Sequence, residues 1–436
     1  MNRGALLGSS TFGEGEALRC FIHFFGSLGP LWITWEVQAF YESRYLAYDY
    51  FHNLVSIIRY LCIGFAIFNI APLQLYTDPR TGNVMVFTLA MLVELVLSMG
   101  LALEVYFRGV GDRISVMNHT RDDFKFRDGA SFVLYAAAFI VSAVQCVQAR
   151  QSFDQQKDRS IWDLYDLPMT LNASAYLVRF ILSSVRILCT DKREFRDSFV
   201  PTNIDYLIDR YEGFIMVLMG VGVASLLDVD KHESSEFYVT EICGLLTMIF
   251  LHVLKMDSES DSSKHALRRG RIPAAMYSFL VHILTISLIG FGVSYVVFFD
   301  EIFQPANTDY LDFARFPFLT VTIISLEFMR VTHCGLKEAF DRLFQTSEGK
   351  RKLNWPVVIG TLLRVGIIIF CLTLYTWTND PETLAACGFA AVFSVFLTHL
   401  LNTAFIEKTK MTLVEDKCSR KHRPAMGNGR SEEDCT

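Results

Sequence analysis

The sequence predicts an all-α membrane protein, a polytopic transmembrane helical bundle of about eleven spans (10–12). Three observations carry that prediction. Of 436 residues, 52% are hydrophobic and 14% aromatic, and the apolar residues come in blocks rather than at the period of an amphipathic surface helix. Each block is ~19–24 residues long, the length that a helix rising ~1.5 Å per residue needs to cross ~30 Å of hydrocarbon. Lys and Arg, finally, crowd into alternate connections between the blocks, as they do on the cytosolic side of a membrane protein.

The predicted spans, in order, are 21–40, 54–73, 84–107, 130–148, 168–189, 208–227, 236–255, 276–298, 314–335, 355–376 and 383–405. The fifth is the weakest, because RFILSSVRILC carries Arg179 and Arg186; a re-entrant or interfacial helix is the alternative there. Of the 40 Lys and Arg, 25 fall in the odd-numbered connections and the C-terminal tail, 7 in the N-terminus and even-numbered connections, and 8 inside spans. That partition places the C-terminus in the cytosol and the N-terminus outside. The exterior connections are acidic, as in DVDKHESSE and FFDEIFQPANTDYLD. A plasma-membrane location follows most simply, with an organellar membrane as the alternative.

The net charge of −6 and the scatter of basic residues between spans argue against a nucleic-acid partner. The opening MNRGALLGSSTFGEGEA has neither a basic start nor an apolar core of a cleavable signal, so the first span is expected to direct insertion. All ten cysteines stand singly; neither a disulfide framework nor a zinc site is indicated, and no cofactor or metal is expected. Both N-x-S/T sequons, at Asn118 and Asn172, fall where glycosylation is not expected, the first in a cytosolic connection and the second inside a span.

The chain divides into a short N-terminal tail (1–20), a first block of about seven spans (21–255), a polar cytosolic linker (256–275, MDSESDSSKHALRRGRIPAA), a second block of about four spans (276–405) and a tail (406–436). The tail is charged and is expected to be disordered. Its basic residues could touch anionic lipid, a solvated tail being the alternative. Oligomeric state is left open by the sequence; the lipid bilayer is the one partner it implies.

Several motifs place charge inside or beside apolar runs. IDYLIDRYEGFIMVLMGVGVASLLDVD sets Asp209, Arg210 and Glu212 at the cytosolic mouth of span six. They read either as an interfacial anchor with snorkelling side chains or as a polar cluster with His282, which lies roughly 9 Å into span eight. Gly220 and Gly222 in span six repeat as Gly290 and Gly292 in span eight, and small residues let membrane helices approach, so spans six and eight are expected to pack there. In span nine SLEFMRVTH places Glu327, Arg330 and His333 at three-residue spacing on one face, with Glu327 and Arg330 expected as a buried charge pair. Glu94 and Glu104 in span three, Arg364 in span ten and His399 in span eleven follow the same logic, and the last two need partners from other helices. No nucleophile-elbow, zinc-protease or P-loop motif occurs, so no enzymatic activity is expected.

The stretch Asp209-Arg210-Tyr211 leading into Gly213–Gly220 resembles the signature of the bacterial low temperature requirement A family. WITWEVQAFYESRYLAYDYFHNL (32–54), with Arg44, Tyr45 and Asp49, is similar to that family's Trp-rich helix and following turn; MYSFLVHILTISLIGFGV (276–293), with His282, is similar to its His-bearing helix. The resemblance runs loosely from about residue 20 to 405. Val221 stands where the family has a glutamate, which removes the carboxylate on which a proton or cation role would rest there. The family's first-helix motif is absent too, as in a divergent or N-terminally shortened member. The intramembrane charges imply that a protein of this type is a transporter or channel for a small solute or ion; the rival expectation is a receptor-like or structural membrane protein.

Overall fold

The structure, a computed structural model, describes residues 14–45, 49–69, 81–108, 129–151, 162–189, 203–227, 235–258, 265–303, 311–335, 344–347, 350–374 and 381–421. Among the described residues, eleven long helices fall one to each predicted apolar stretch. A run of some twenty apolar side chains offers its backbone no outside partner in lipid, and a helix satisfies every N–H and C=O internally. They are α1 (Glu14–Arg44), α2 (Tyr50–Asn69), α3 (Thr81–Arg108), α4 (Gly129–Gln151), α5 (Trp162–Cys189), α6 (Ile204–Leu227), α7 (Ser235–Ser258), α9 (Arg271–Phe303), α10 (Leu311–Cys334), α11 (Trp355–Thr373) and α12 (Pro381–Lys421). A single-turn helix, α8 (Ala266–Arg269), lies between α7 and α9. Strands β1 (Phe344–Ser347) and β2 (Lys350–Leu353) pair antiparallel, Phe344 opposite Leu353 and Ser347 opposite Lys350.

Among the described residues, five helices contain a segment long and apolar enough to cross a membrane: Tyr50–Asn69, Asn83–Leu101, Phe237–Ser258, Ile272–Ser294 and Thr383–Thr403. Shorter apolar segments occupy Ser131–Val147, Leu167–Leu182 and Val357–Thr373. By length and composition these are the helices of a membrane protein.

The structure departs from the sequence reading at the tail, adds helix to the linker, and keeps the fifth stretch in a single helix. α12 continues to Lys421, although the sequence predicts disorder from 406; residues 407–421 contain no Gly or Pro and are rich in Lys, Glu and Leu-type helix formers. The linker is partly helical: α7 runs to Ser258, and His265 Nδ1 caps α8 by accepting from the Leu267 N–H at 3.2 Å. Gly270, at φ 137°, then allows the chain to turn into α9. α5 is one continuous helix through Arg179 and Arg186, with Pro168 in its first third. The predicted tail before Glu14, the sequon at Asn118 and the tail beyond Lys421 lie outside the described residues.

The chain forms two compact units, and the division cuts α6 and α9 rather than falling at the linker. Unit one comprises Met1–Met216, Ser262–Phe279 and Phe303–Tyr310; unit two comprises Val217–Asp261, Leu280–Ile302 and Leu311–Thr436.

In unit one α1 packs on α5, α5 on α4, and α3 on both α2 and α4. The α1–α5 contact is close because Gly26 and Gly29 lie on it: a Cβ at Gly26 would come 2.6 Å from the backbone oxygen of Met169, and one at Gly29 would come 2.9 Å from Tyr176 Cβ. Phe87, Met91, Val84 and Ala66 form one core cluster with Met169; Leu95, Tyr135 and Ala175 form another. Trp32 and Trp35 of α1 close on Phe214 of α6, with ring centroids at 4.8 and 4.3 Å.

In unit two α12 packs on α7 and α11, and α10 on α7 and α11. Phe250 of α7 inserts among Phe389, Phe393 and Phe396 of α12. Gly360 of α11 accommodates the amide of Asn402. The glycines expected to bring spans six and eight together serve other neighbours. Gly222 faces Met248 of α7, Gly290 faces the Phe318 ring of α10, and Gly220 has nothing within 4 Å; Gly292 is buried. The missing Cβ makes room for one side-chain knob instead of a second glycine helix.

Candidate functional site

Charge inside an apolar helix must find a partner on another helix, and in unit two four helices meet this demand at one place. The three-residue spacing in α10 turns Glu327 and Arg330 to the same side. Glu327 Oε2 accepts from Arg364 Nη1 of α11 at 2.9 Å. Arg330 Nη1 donates to Nδ1 of His399 in α12, and His399 Nε2 donates to Oδ2 of Asp257 at the end of α7. Thr403 Oγ1, one turn further along α12, lies 3.3 Å from the same Nε2.

The direction of this chain follows from its chemistry. A guanidinium has no acceptor, so Nδ1 must accept from it and the proton of a neutral ring sits on Nε2, toward Asp257. Two carboxylates, two guanidiniums and a neutral imidazole carry no net charge. His399 is 5% exposed. Asp257, Ser258, Glu327, Arg330 and His399, with Leu254, Ile323, Leu326 and Val395 as apolar walls, line a cavity of about 10 Å³. That is room for one water. Acceptors and donors around a water-sized space can exchange protons and orient a small polar guest. Among the described residues, no group of three or more His, Cys, Asp and Glu is placed to hold a metal ion.

Unit one holds further polar networks. Arg59 of α2 binds Glu94 of α3 at 2.9 Å through Nε and 2.6 Å through Nη2, with Thr34 of α1 donating to Glu94 Oε2 at 2.9 Å and Ser98 to Oε1 at 3.0 Å. His52, at the start of α2, has Asp49 Oδ1 2.6 Å from Nδ1, and Glu104 Oε2 and Tyr41 OH at 3.2 and 3.0 Å from Nε2. Arg210 reaches Glu42 of α1 with Nη2 at 2.8 Å and Tyr206 OH with Nε at 2.7 Å, its guanidinium 5.0 Å above the Tyr206 ring. Tyr206 OH also donates to Glu42, whose other oxygen accepts from Gln38 at 2.8 Å. Burial first, and then the hydrogen bond to Glu42, push the Tyr206 phenol up to about 12. Near the same end of α6, Arg268 pairs with Asp205.

Of the residues singled out in the sequence, Arg210 is thus engaged through Glu42 and Tyr206. Asp209 is exposed beside it and Glu212 is half-buried; His282 is buried and belongs to the other unit. Glu327 is bound by Arg364 and Arg330 by His399, so the two span-nine charges reach outward to α11 and α12. Sequence reading missed Glu42, Tyr206 and Asp257. Each stands at or just past a predicted span end, where an isolated charge has the ordinary look of a loop residue. A usable signal was present in Arg364 and His399, which have no partner within their own helices, and in Arg210 at a helix end; each calls for an acceptor from another helix.

No family model, no curated protein and no solved structure matches the chain.

Proposed function

We propose that the chain is a multi-pass integral membrane protein that moves a small solute or ion, with the α7–α10–α11–α12 charge cluster on its path. The carrying observation is that cluster: Asp257, Glu327, Arg330 and His399, from three helices, line a water-sized cavity, and Arg364 from a fourth binds Glu327. Buried ionisable groups are costly in hydrocarbon, and those that line a cavity are the usual elements of solute and proton paths. Eleven crossings with a cytosolic C-terminus, in the plasma membrane, are part of the proposal, supported by the Lys and Arg partition and by one helix on each apolar stretch. Assignment to the low temperature requirement A type is supported by the residues at 32–54, 209–220 and 276–293.

The test is flux into proteoliposomes of the purified chain, followed with dyes for membrane potential and internal pH over a panel of inorganic ions and small organic solutes. Flux should appear for at least one of them and drop at least tenfold in Glu327→Gln, with folded yield kept. A folded parent that carries none of the panel would favour the second reading, a receptor-like or structural protein. The observation on that side is the size of the cavity, one water, and the mutual neutralisation of the charges of the cluster, Arg364 included.

A further inference from the structure

We infer that the Arg330–His399–Asp257 chain is a proton-binding site in which uptake of a proton on His399 Nδ1 displaces the Arg330 guanidinium. The inference rests on the transport reading for its use and names the proton as the ligand of that cluster.

The cluster leaves an added proton one clear destination. The carboxylates of Asp257 and Glu327, each held by a donor, are weaker bases than an imidazole. Arg330 and Arg364 cannot take another. His399 Nδ1 is a basic lone pair held only by a donor. The step balances simply: an O–H bond of a hydronium in the cavity breaks, an N–H bond forms at Nδ1, a water remains, and no electrons are transferred. The cavity walls include both His399 and Arg330, so a single water can bring the proton there.

The consequence is steric and electrostatic. An imidazolium donates from both nitrogens, so Arg330 N–H and His399 Nδ1–H would point at one another with like charge behind them. Arg330 must leave. Glu327, three residues back on the same face of α10 and lining the same cavity, is the carboxylate within its swing. The new imidazolium keeps Asp257 as counter-ion. Proton uptake thereby exchanges an α10–α12 bond for one within α10 and loosens the grip between those helices.

The groups facing this event come from every helix packed on α12: Asp257 from α7, Glu327 and Arg330 from α10, and Arg364 from α11 through Glu327, with Thr403 on α12 itself. Lys255 on α7 and His333 on α10 are the other buried basic side chains of those helices.

The experiment is solid-state NMR of the full chain in liposomes, with ¹⁵N-labelled His and Arg, from roughly pH 8 down to pH 5. The His399 ring is assigned by its loss in His399→Gln, or by its shift in Thr403→Val should the first variant not fold; Arg330 is assigned by its loss in Arg330→Lys. The expected result is a ring with one proton, on Nε2, at the alkaline end, which gains a second on acidification while the Arg330 guanidinium signals shift over the same interval. A ring that keeps one proton throughout overturns the site. A ring that gains its proton while Arg330 stays unchanged overturns the displacement. Proteoliposome flux, measured alongside, should vary with pH in the parent and lose that variation in His399→Gln. Failure of all flux would reject the transport reading and leave the NMR result to decide the proton site by itself.

Discussion

Arg59 and Glu94 are joined by two hydrogen bonds, at 2.9 and 2.6 Å, with the side chains only 3% and 4% exposed. Neither group meets solvent, and the remaining carboxylate oxygen is taken by Thr34 at 2.9 Å. The geometry satisfies most of what the two charges lost on leaving water. It also ties α1, α2 and α3 together at one level of unit one, a level that packing of lipid-like side chains alone does not specify.

Removing one member leaves the other buried and unpaired. Glu94→Gln and Arg59→Met should each lower unfolding free energy by about 3–5 kcal/mol, whereas the double variant Arg59→Met/Glu94→Leu should recover most of that loss. Thermal unfolding in a single detergent checks all three. Single variants that melt with the parent would show that the pair contributes nothing.

The helices were legible because their signal is collective: twenty apolar residues in succession leave the backbone one solution. The polar networks were only half legible. Glu327, Arg330, Arg364 and His399 stand out inside apolar runs, and the need for partners on other helices follows from solvation. Which partner takes which cation depends on helix rotation and neighbour order, and a single sequence holds neither. So the i,i+3 pair Glu327–Arg330 is read from spacing, while the bonds made are Glu327 to Arg364 and Arg330 to His399. The glycines mislead for the same reason. Gly26 and Gly29 make the close helix approach on α5, in a segment with no repeat to announce it, whereas Gly220 faces open space.

That contrast predicts an order of costs. Gly26→Ala drives a Cβ to within 2.6 Å of the Met169 carbonyl oxygen, a backbone atom held in α5, and should destabilise by about 1–3 kcal/mol. Gly222→Ala meets the Cε and Sδ of Met248 at 2.5 and 3.6 Å, the far end of a flexible side chain that can rotate away, and should cost less. Gly220→Ala meets nothing within 4 Å and should be neutral, or stabilising by up to about 1 kcal/mol through helix propensity. Melting temperatures of the three variants give the ranking; Gly26→Ala as the mildest would refute the close approach.

Glu327 and Arg364 lie on different helices, so their bond should appear as coupling. Glu327→Gln, Arg364→Gln and the double variant form a cycle whose interaction energy should be about 0.5–3 kcal/mol. A cycle that closes at zero within error would mean that the 2.9 Å contact carries no energy.

Arg210 grips Glu42 and Tyr206 with two different nitrogens, a fork that lysine lacks. Arg210→Lys should therefore weaken the end of α6, by no more than about 1 kcal/mol because the pair is half exposed and screened. Tyr206 adds a pH signature. Its proton is held in the folded chain up to about 12, above the ~10 of an unfolded tyrosine, so its contribution is present below pH ~10 and is lost as pH rises through about 12. The melting difference between parent and Tyr206→Phe should be flat up to pH ~10 and shrink above it. A difference that stays constant through that window would detach Tyr206 from the network.

Topology is open to the most direct test, and the networks sharpen the expectation. Under eleven alternating crossings with an exterior N-terminus, odd crossings end and even crossings begin at the cytosol. In unit one, Tyr41 and Glu42 end α1, His52 begins α2, Glu104 lies in the last turns of α3, and Tyr206 and Arg210 begin α6; they bond to one another across those helices. In unit two, Asp257 ends α7, Arg330 lies toward the end of α10, His399 toward the end of the apolar segment Thr383–Thr403 of α12, and Arg364 at the middle of α11, again in one connected cluster. One crossing too few within either set would send some of these bonded residues to opposite faces. Single cysteines introduced at Ser260 and Thr346, in a background with the native cysteines replaced, should react with a membrane-impermeant maleimide only from the cytosolic side, and one at Asn307 only from outside. Labelling of the Asn307 position from the cytosol would break the alternation at α9 or α10, and with it the argument that the charge cluster of unit two sits in the cytosolic half of the membrane.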